Sequence, residues 1–253
     1  MHQLWIESDK PEIVLPYNPN KKPINQSRRP RLDKDDQWII QFLNEIQVGH
    51  ISTRDGKQPF INPTSFWYSS ENHEIYFHSN AYGRMRFNAD LNPEACFECF
   101  KSGRLLPSNL ALEVSFQYEC VIAYGKIRVI ENMDEKREVL NGLLQKYFGK
   151  MESGKDYRPI TNDELKQTSV YGIKINAWNG KQNWINKADQ AEDGEWPDLD
   201  PKWYDYYKKY FFQASVDSGQ RAVTFFKFVQ KSTPLFPVIS PWPYFDSFQP
   251  PKL

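Results

Sequence analysis

Apolar residues recur at helical spacing in two stretches of the chain and at strand-like spacing through much of the rest. After Asp33, a good N-cap, Trp38, Ile39, Phe42, Leu43 and Ile46 fall on one helical face, which predicts an amphipathic helix covering a sheet. Between positions 133 and 149, Val139, Leu140, Leu143, Leu144, Tyr147 and Phe148 repeat the pattern, with Gly149 as the stop. The runs 48–54, 59–68 and 74–79 are β-prone and separated by turn signals, and Asp55-Gly56 between the first two predicts a hairpin. Residues 81–91 predict a short helix stopped by Asn92-Pro93. Runs 94–101 and 112–130 predict further strands, with Gly125 marking a bulge or bend in the second. A short helix at 163–167 precedes a last strand at 169–178.

Six strands, two packing helices and no alternation of strand and helix predict a mainly β fold, an antiparallel Greek-key barrel rather than a doubly wound sheet. Pro11, Pro16, Pro19, Pro23 and Pro30 punctuate a stretch without period, so residues 1–30 read as an extended arm and 31–186 as the barrel domain. Residues 187–253 form an extension that opens with acids at Asp189, Glu192, Asp193, Glu195 and Asp198. Its run Trp203, Tyr204, Tyr206, Tyr207, Tyr210, Phe211 and Phe212 is too apolar for a disordered tail. A strap packed on the barrel or on a second subunit is the expected arrangement, with a lid over a ligand as the other reading.

Charge narrows the function classes. The 253 residues carry 32 basic and 32 acidic side chains, a net charge of zero that offers no footprint for nucleic acid. A mean hydropathy of -0.71 and the lack of a long apolar run argue against a membrane protein. Three cysteines and no basic, apolar leader at the start point to a cytoplasmic protein. Cys96 and Cys99 have the spacing of a zinc or redox motif, but in a strand residues three apart face opposite sides and cannot chelate together. His2, His50, His73 and His78 have no metal-site spacing either, so no metal is expected.

The chemistry-bearing stretch is 74–100, where a strand ends in His78, Ser79 and Asn80, a glycine turn follows, and Arg84 and Arg86 enter a helix. Small polar groups, open amides and guanidinium groups meeting at one turn suit a phosphate monoester.

The segments G-H-I-S-T (49–53), D-G-K-Q-P-F-I-N-P-T-S-F (55–66), I-Y-F-H-S-N-A-Y-G-R (75–84), N-P-E-A-C-F (92–97) and Y-E-C-V-I-A-Y-G-K (118–126) stand in a telling order. Over about 28–181 the chain resembles the FMN-binding split-barrel superfamily, nearest its pyridoxamine 5'-phosphate oxidase-like branch with the nitroimidazole-resistance reductases. The resemblance implies a six-stranded split barrel and a homodimer with two FMN sites, each built from both subunits. It places Asn62, Pro63, Thr64 and Ser65 beside the flavin ring and His78, Ser79, Asn80, Arg84 and Arg86 around the ribityl phosphate. It also sets Tyr118 on the pocket floor and brings Lys181 to the site from the last strand. His78 is the only candidate proton donor. Where the family has Gly-Arg-Lys this chain has Gly83-Arg84-Met85, so Arg86 is expected to converge with Arg84 on the phosphate. The Arg-x-x-Leu-Leu-Lys-like run and the terminal Trp and Arg substrate motif of true pyridoxamine phosphate oxidases are missing. The implied activity is electron transfer between FMN and a small planar substrate, with a nicotinamide reductant, rather than oxidation of pyridoxamine phosphate. The alternative is a non-catalytic barrel that carries haem or another flavin-like cofactor.

Overall fold

The computed structural model describes residues 23–205. In chain order the elements are β1 (Asp33–Lys34), α1 (Asp36–Glu45), β2 (Val48–Asp55), β3 (Gln58–Ser65), β4 (Trp67–Ser69), β5 (Glu74–Asn80), α2 (Arg84–Leu91), β6 (Glu94–Leu106), β7 (Ser115–Ile130), α3 (Met133–Phe148), α4 (Asn162–Gln167) and β8 (Thr168–Asn183). All named strands pair antiparallel in the order β3-β2-β6-β7-β8-β5-β4, with β1 added on β8. β3 and β4 stand at opposite ends of this ladder, yet only Phe66 separates them in the chain. Chain continuity therefore curls the sheet on itself and brings β3 alongside β5 without a ladder between them. The result is a mainly β split barrel with a seam between β3 and β5.

The concave side of the curl holds the core, with Ile51, Phe66, Ile75, Phe77, Phe97, Val121, Tyr171 and Ile173 all buried. Ile39, Phe42 and Leu43 of α1 and Met85 and Ala89 of α2 join the same cluster. A second cluster on the convex side joins Tyr76, Ile130 and Val170 to Val139 of α3. The bulge expected at Gly125 is present as a register shift between Tyr124 and Gly125 where β7 pairs β8. A side chain at Gly125 would collide with the Lys174 carbonyl oxygen, so the bend needs glycine for proximity rather than for its φ.

Several element boundaries differ from the sequence expectation. The first helix is capped by Asp35, whose Oδ1 accepts from the Trp38 amide at 2.8 Å, while Asp33 instead pairs with Lys181 across β1 and β8. The run 59–68 is two strands because the chain turns from one sheet edge to the other at Phe66. The helix expected from 81 starts at Arg84, since Gly83 holds φ at +127° and interrupts the helical path before it. β6 and β8 run past their expected ends at 101 and 178, because cross-strand pairing to β7 continues through polar residues such as Lys101, Ser102, Lys181 and Asn183. Residues after 186 stay in contact with the loop behind β6. Ser108 Oγ donates to the Asp189 carbonyl at 2.6 Å, and Asn109 Nδ2 donates to that of Pro197 at 2.9 Å. A separate unit starts at Pro201, of which a helical turn at 201–205 is described. Most of the predicted arm and the aromatic run from Tyr206 onward lie outside the described residues. No described helix is long and apolar enough to cross a membrane.

Candidate functional site

The turn from β5 into α2 is built by local polar chemistry. Asn80 Oδ1 accepts from the Tyr82 amide at 3.0 Å, an Asx-turn that bends the chain away from the sheet. Gly83 then caps α2 without a side-chain hydrogen bond to its first amides. Ser79 Oγ meets the Tyr171 hydroxyl at 3.0 Å on the core side, while His78 and Asn80 point the other way and are exposed. Although the His78 side chain is exposed, the chain beside it partly desolvates the ring and lowers its pKa from 6.5, which favours the neutral imidazole at neutral pH.

The two arginines of the turn take different directions. Arg84 is exposed and lies over the Phe60 ring at 5.8 Å, with no carboxylate partner among the described residues. Arg86 is held by carboxylates: Nε donates to both Asp90 oxygens at 3.0 and 2.9 Å, and a terminal nitrogen donates to Glu131 at 2.9 Å. Its other terminal nitrogen reaches the buried Ser169 hydroxyl at 3.3 Å. The Asp90 hydrogen bonds come first among the causes that raise its pKa. The expected convergence of Arg84 and Arg86 on one anion is therefore corrected: Arg86 ties α2 to the sheet and to the end of β7. Met85, at the position of the family lysine, is buried in the core.

Register assigns the β3 residues to two faces. Phe60, Asn62 and Thr64 pair with Thr53, Ile51 and Gly49 and share the inner face. Because Arg84 lies over Phe60, that inner row and the β5–α2 turn flank the same seam. Pro63 and Ser65 pair with His50 and Val48 on the outer face. Following the ladder, His50 pairs Glu98, Glu98 pairs Ile122, and Cys120 pairs Lys181, which places Tyr118 and Lys181 on that outer face too. The structure thus brings Asn62, Thr64, Ser79 and Arg84 to the seam, with Asn80 in the turn beside it and His78 on the opposite side of β5. Tyr118 and Lys181 lie strands away within the same chain.

The outer face exposes several apolar side chains among polar ones. Ile61 is 64% exposed, and Val48, Phe100 and Phe116 are exposed with it around the His50–Glu98 pair at 2.8 Å. Cys99 points into the core and Cys96 to the outer face, as strand geometry requires, and burial raises both thiol pKa values. Among the described residues no three His, Cys, Asp or Glu side chains gather as metal ligands. Sequence reasoning missed Phe60 beneath Arg84 and the Asp90 and Glu131 partners of Arg86. The Arg86–Asp90 pair was detectable as an i, i+4 spacing of opposite charges, but Glu131 becomes a neighbour only through the fold.

This fold and this turn agree with a family model described as pyridoxamine 5'-phosphate oxidase, which matches residues 35–182, more than half of the chain. The chain belongs to this family. Among solved structures it is similar to a putative 5-nitroimidazole antibiotic resistance protein from Bacteroides thetaiotaomicron, at 20% identity and TM-score 0.50, covering 60% of this chain and 86% of that one. It is also similar to a flavocytochrome from Azotobacter vinelandii, at 19% identity and TM-score 0.57, covering 70% and 88%. A third is the FAD and heme binding protein from Mycobacterium smegmatis, at 19% identity and TM-score 0.54, covering 64% and 79%. These likenesses establish the fold shared with other family members. No curated protein matches the chain.

Proposed function

We propose that this protein is a homodimeric flavoprotein that holds a flavin nucleotide between two copies of the chain and passes electrons to or from a small planar substrate. The observation that carries this reading is the division of the site. One group of residues lines the seam, and Tyr118 and Lys181 lie on the outer face, whose exposed apolar side chains a second copy would cover. A partner related by twofold symmetry would present its outer-face residues to the seam of the first chain, completing both sites at once.

The residues at the seam fit a flavin 5'-phosphate, the part that FMN, the expected cofactor, shares with larger flavin nucleotides. Among the described residues Arg84 has no carboxylate partner, and Gly83, having no side chain, leaves the first amides of α2 without a side-chain cap. Asn62 and Thr64 supply an amide and a hydroxyl for hydrogen bonds to a ring edge. A bound flavin supplies the redox chemistry; the chain supplies position, charge complementarity and exclusion of water. His78, neutral at neutral pH and exposed on the face of β5 opposite Ser79, is our candidate for handling a proton. The flavin cofactors in the names of the flavoprotein relatives support the ligand class.

The test is the absorption spectrum of the purified protein before and after reconstitution, with identification of the molecule released on denaturation. A blue-absorbing flavin band is the expected result. An intense Soret band without flavin would point to haem instead, and a colourless protein that takes up no flavin would overturn the proposal.

A further inference from the structure

We infer that Tyr68, His73, Trp178 and Asp36 form a redox-active relay from which a diffusible one-electron oxidant takes an electron, with Tyr68 giving its proton to His73. None of the four is among the residues proposed above to hold the flavin, so the relay stands or falls apart from that reading. Two hydrogen-bonded pairs meet in it. The Tyr68 hydroxyl lies 2.8 Å from His73 Nδ1, and Trp178 Nε1 donates to Asp36 Oδ1 at 2.7 Å. The Trp178 ring centroid is 5.5 Å from that of Tyr68 and 4.7 Å from that of His73. Tyr68 comes from β4, His73 from the turn into β5, Trp178 from β8 and Asp36 from the first turn of α1, so only the fold assembles them.

The backbone at His73 is a second, independent observation. Among the described residues it is the one non-glycine position with positive φ, at +50°. A turn that needed only its shape would take glycine or asparagine there, and a left-handed residue that keeps a ring marks a use for that ring. The Ile175 amide fixes the turn by donating to the His73 carbonyl at 3.2 Å. Tyr68 is buried, and His73 Nδ1 is the partner its hydroxyl has among the described residues. The hydroxyl therefore donates and Nδ1 accepts, with the ring proton on Nε2. Desolvation and then Lys174 lower the His73 pKa from 6.5 against an opposing Asp36, which favours an unprotonated Nδ1 at neutral pH. Desolvation and then Asp36 raise the pKa of Tyr68, so the phenol keeps its proton until an electron leaves.

Trp178 is the partly exposed ring and meets the oxidant first. Loss of one electron leaves an indole radical cation, whose charge the Asp36 carboxylate offsets at hydrogen-bond distance. Tyr68 then returns one electron to Trp178 and passes its hydroxyl proton along the existing hydrogen bond to Nδ1. The oxidant gains one electron, one proton moves from Tyr68 to His73, and a neutral phenoxyl radical remains. Neutrality matters at that position, because a charge left on a buried ring would be costly.

The experiment is oxidation of the full chain as purified with hexachloroiridate(IV), a soluble one-electron oxidant, followed by rapid freezing and electron paramagnetic resonance. The wild type should give a phenoxyl signal that narrows when the protein is grown with ring-deuterated tyrosine. Tyr68→Phe keeps the ring in the core and should lose that signal. His73→Asn suits the left-handed backbone but offers no base, and should slow the appearance of the signal by about a hundredfold, an ordinary contribution of a positioned base. Trp178→Phe, at a partly exposed position, should slow it as well. A wild type without a phenoxyl signal would overturn the inference, as would a signal that survives Tyr68→Phe. So would formation at the wild-type rate in either His73→Asn or Trp178→Phe.

Discussion

Arg84, Lys146 and Glu74 show how single side chains set measurable behaviour. Arg84→Ala removes a charge-assisted contact worth about 1.5 to 3 kcal/mol and should weaken a flavin nucleotide by about ten- to a hundredfold. Riboflavin, which has no phosphate, should bind as before, and equal losses for both would separate Arg84 from the phosphate. Lys146 places its ammonium 3.6 Å from the Phe66 ring centroid and donates to the Leu43 carbonyl at 2.8 Å, capping the end of α1. Burial lowers its pKa from 10.5 to about 8, so the unfolded chain holds more protons than the folded one between those values. Stability should therefore rise with pH from about 8 to 10.5, and Lys146→Met should flatten that rise in urea melts across the same range. A slope unchanged in the variant would show the ammonium to be ordinarily solvated. For Glu74 burial favours the neutral acid, but two hydrogen bonds from Arg128 at 2.9 Å each and one from the Tyr76 hydroxyl at 2.5 Å outweigh it. Its pKa falls below 4.5, so its stabilisation is complete above that pH and is lost as pH drops through the folded value. Glu74→Gln should cost about 1 to 3 kcal/mol near neutrality, a cost that shrinks as pH falls through the folded pKa, so urea melts should show a flatter acid loss of stability than a surface Glu→Gln control does.

At the scale of elements, the outcome turned on where neighbours intervene. The hydrophobic stripes of α1 and α3 and the Asp55-Gly56 hairpin were legible, because helical periodicity and turn chemistry are local properties. The start of α1 was not, since Asp33 and Asp35 are equally good caps and only the pairing of Asp33 with Lys181 decides between them. The break at Phe66 was hidden for the same reason: 59–68 reads as one β-prone run until the two sheet edges claim its halves. The bulge at Gly125 is the element-scale feature most open to test. Gly125→Ala would press a methyl group against the Lys174 carbonyl and should cost about 1 to 3 kcal/mol, read as a lower melting temperature with an unchanged strand signature. Wild-type stability in that variant would show that the bulge accommodates a side chain.

At the scale of the molecule, the exposed outer face makes the oligomeric state the decisive measurement. Sedimentation should give twice the 29.9 kDa chain mass at micromolar concentration. Ile61→Asp combined with Phe100→Asp places charges on two exposed apolar positions of that face and should shift the protein to monomer while lowering flavin affinity. A monomer that retains wild-type flavin affinity would refute the shared site.

The amino-acid sequence by itself determined the mainly β class, both long helices, the strand bulge and the glycine turn between β5 and α2, since each depends on periodicity, propensity or residues adjacent in the chain. It also carried the family, through motifs in order. Only the tertiary structure decided which guanidinium remains free. Arg86 meets Glu131 and Ser169 across the fold, from positions 45 and 83 residues away, and no local pattern reports such contacts. The two faces of the site were decided in the same way: Asn62 and Pro63 are chain neighbours, yet the pleat turns one toward the seam and the other toward the face we assign to a partner.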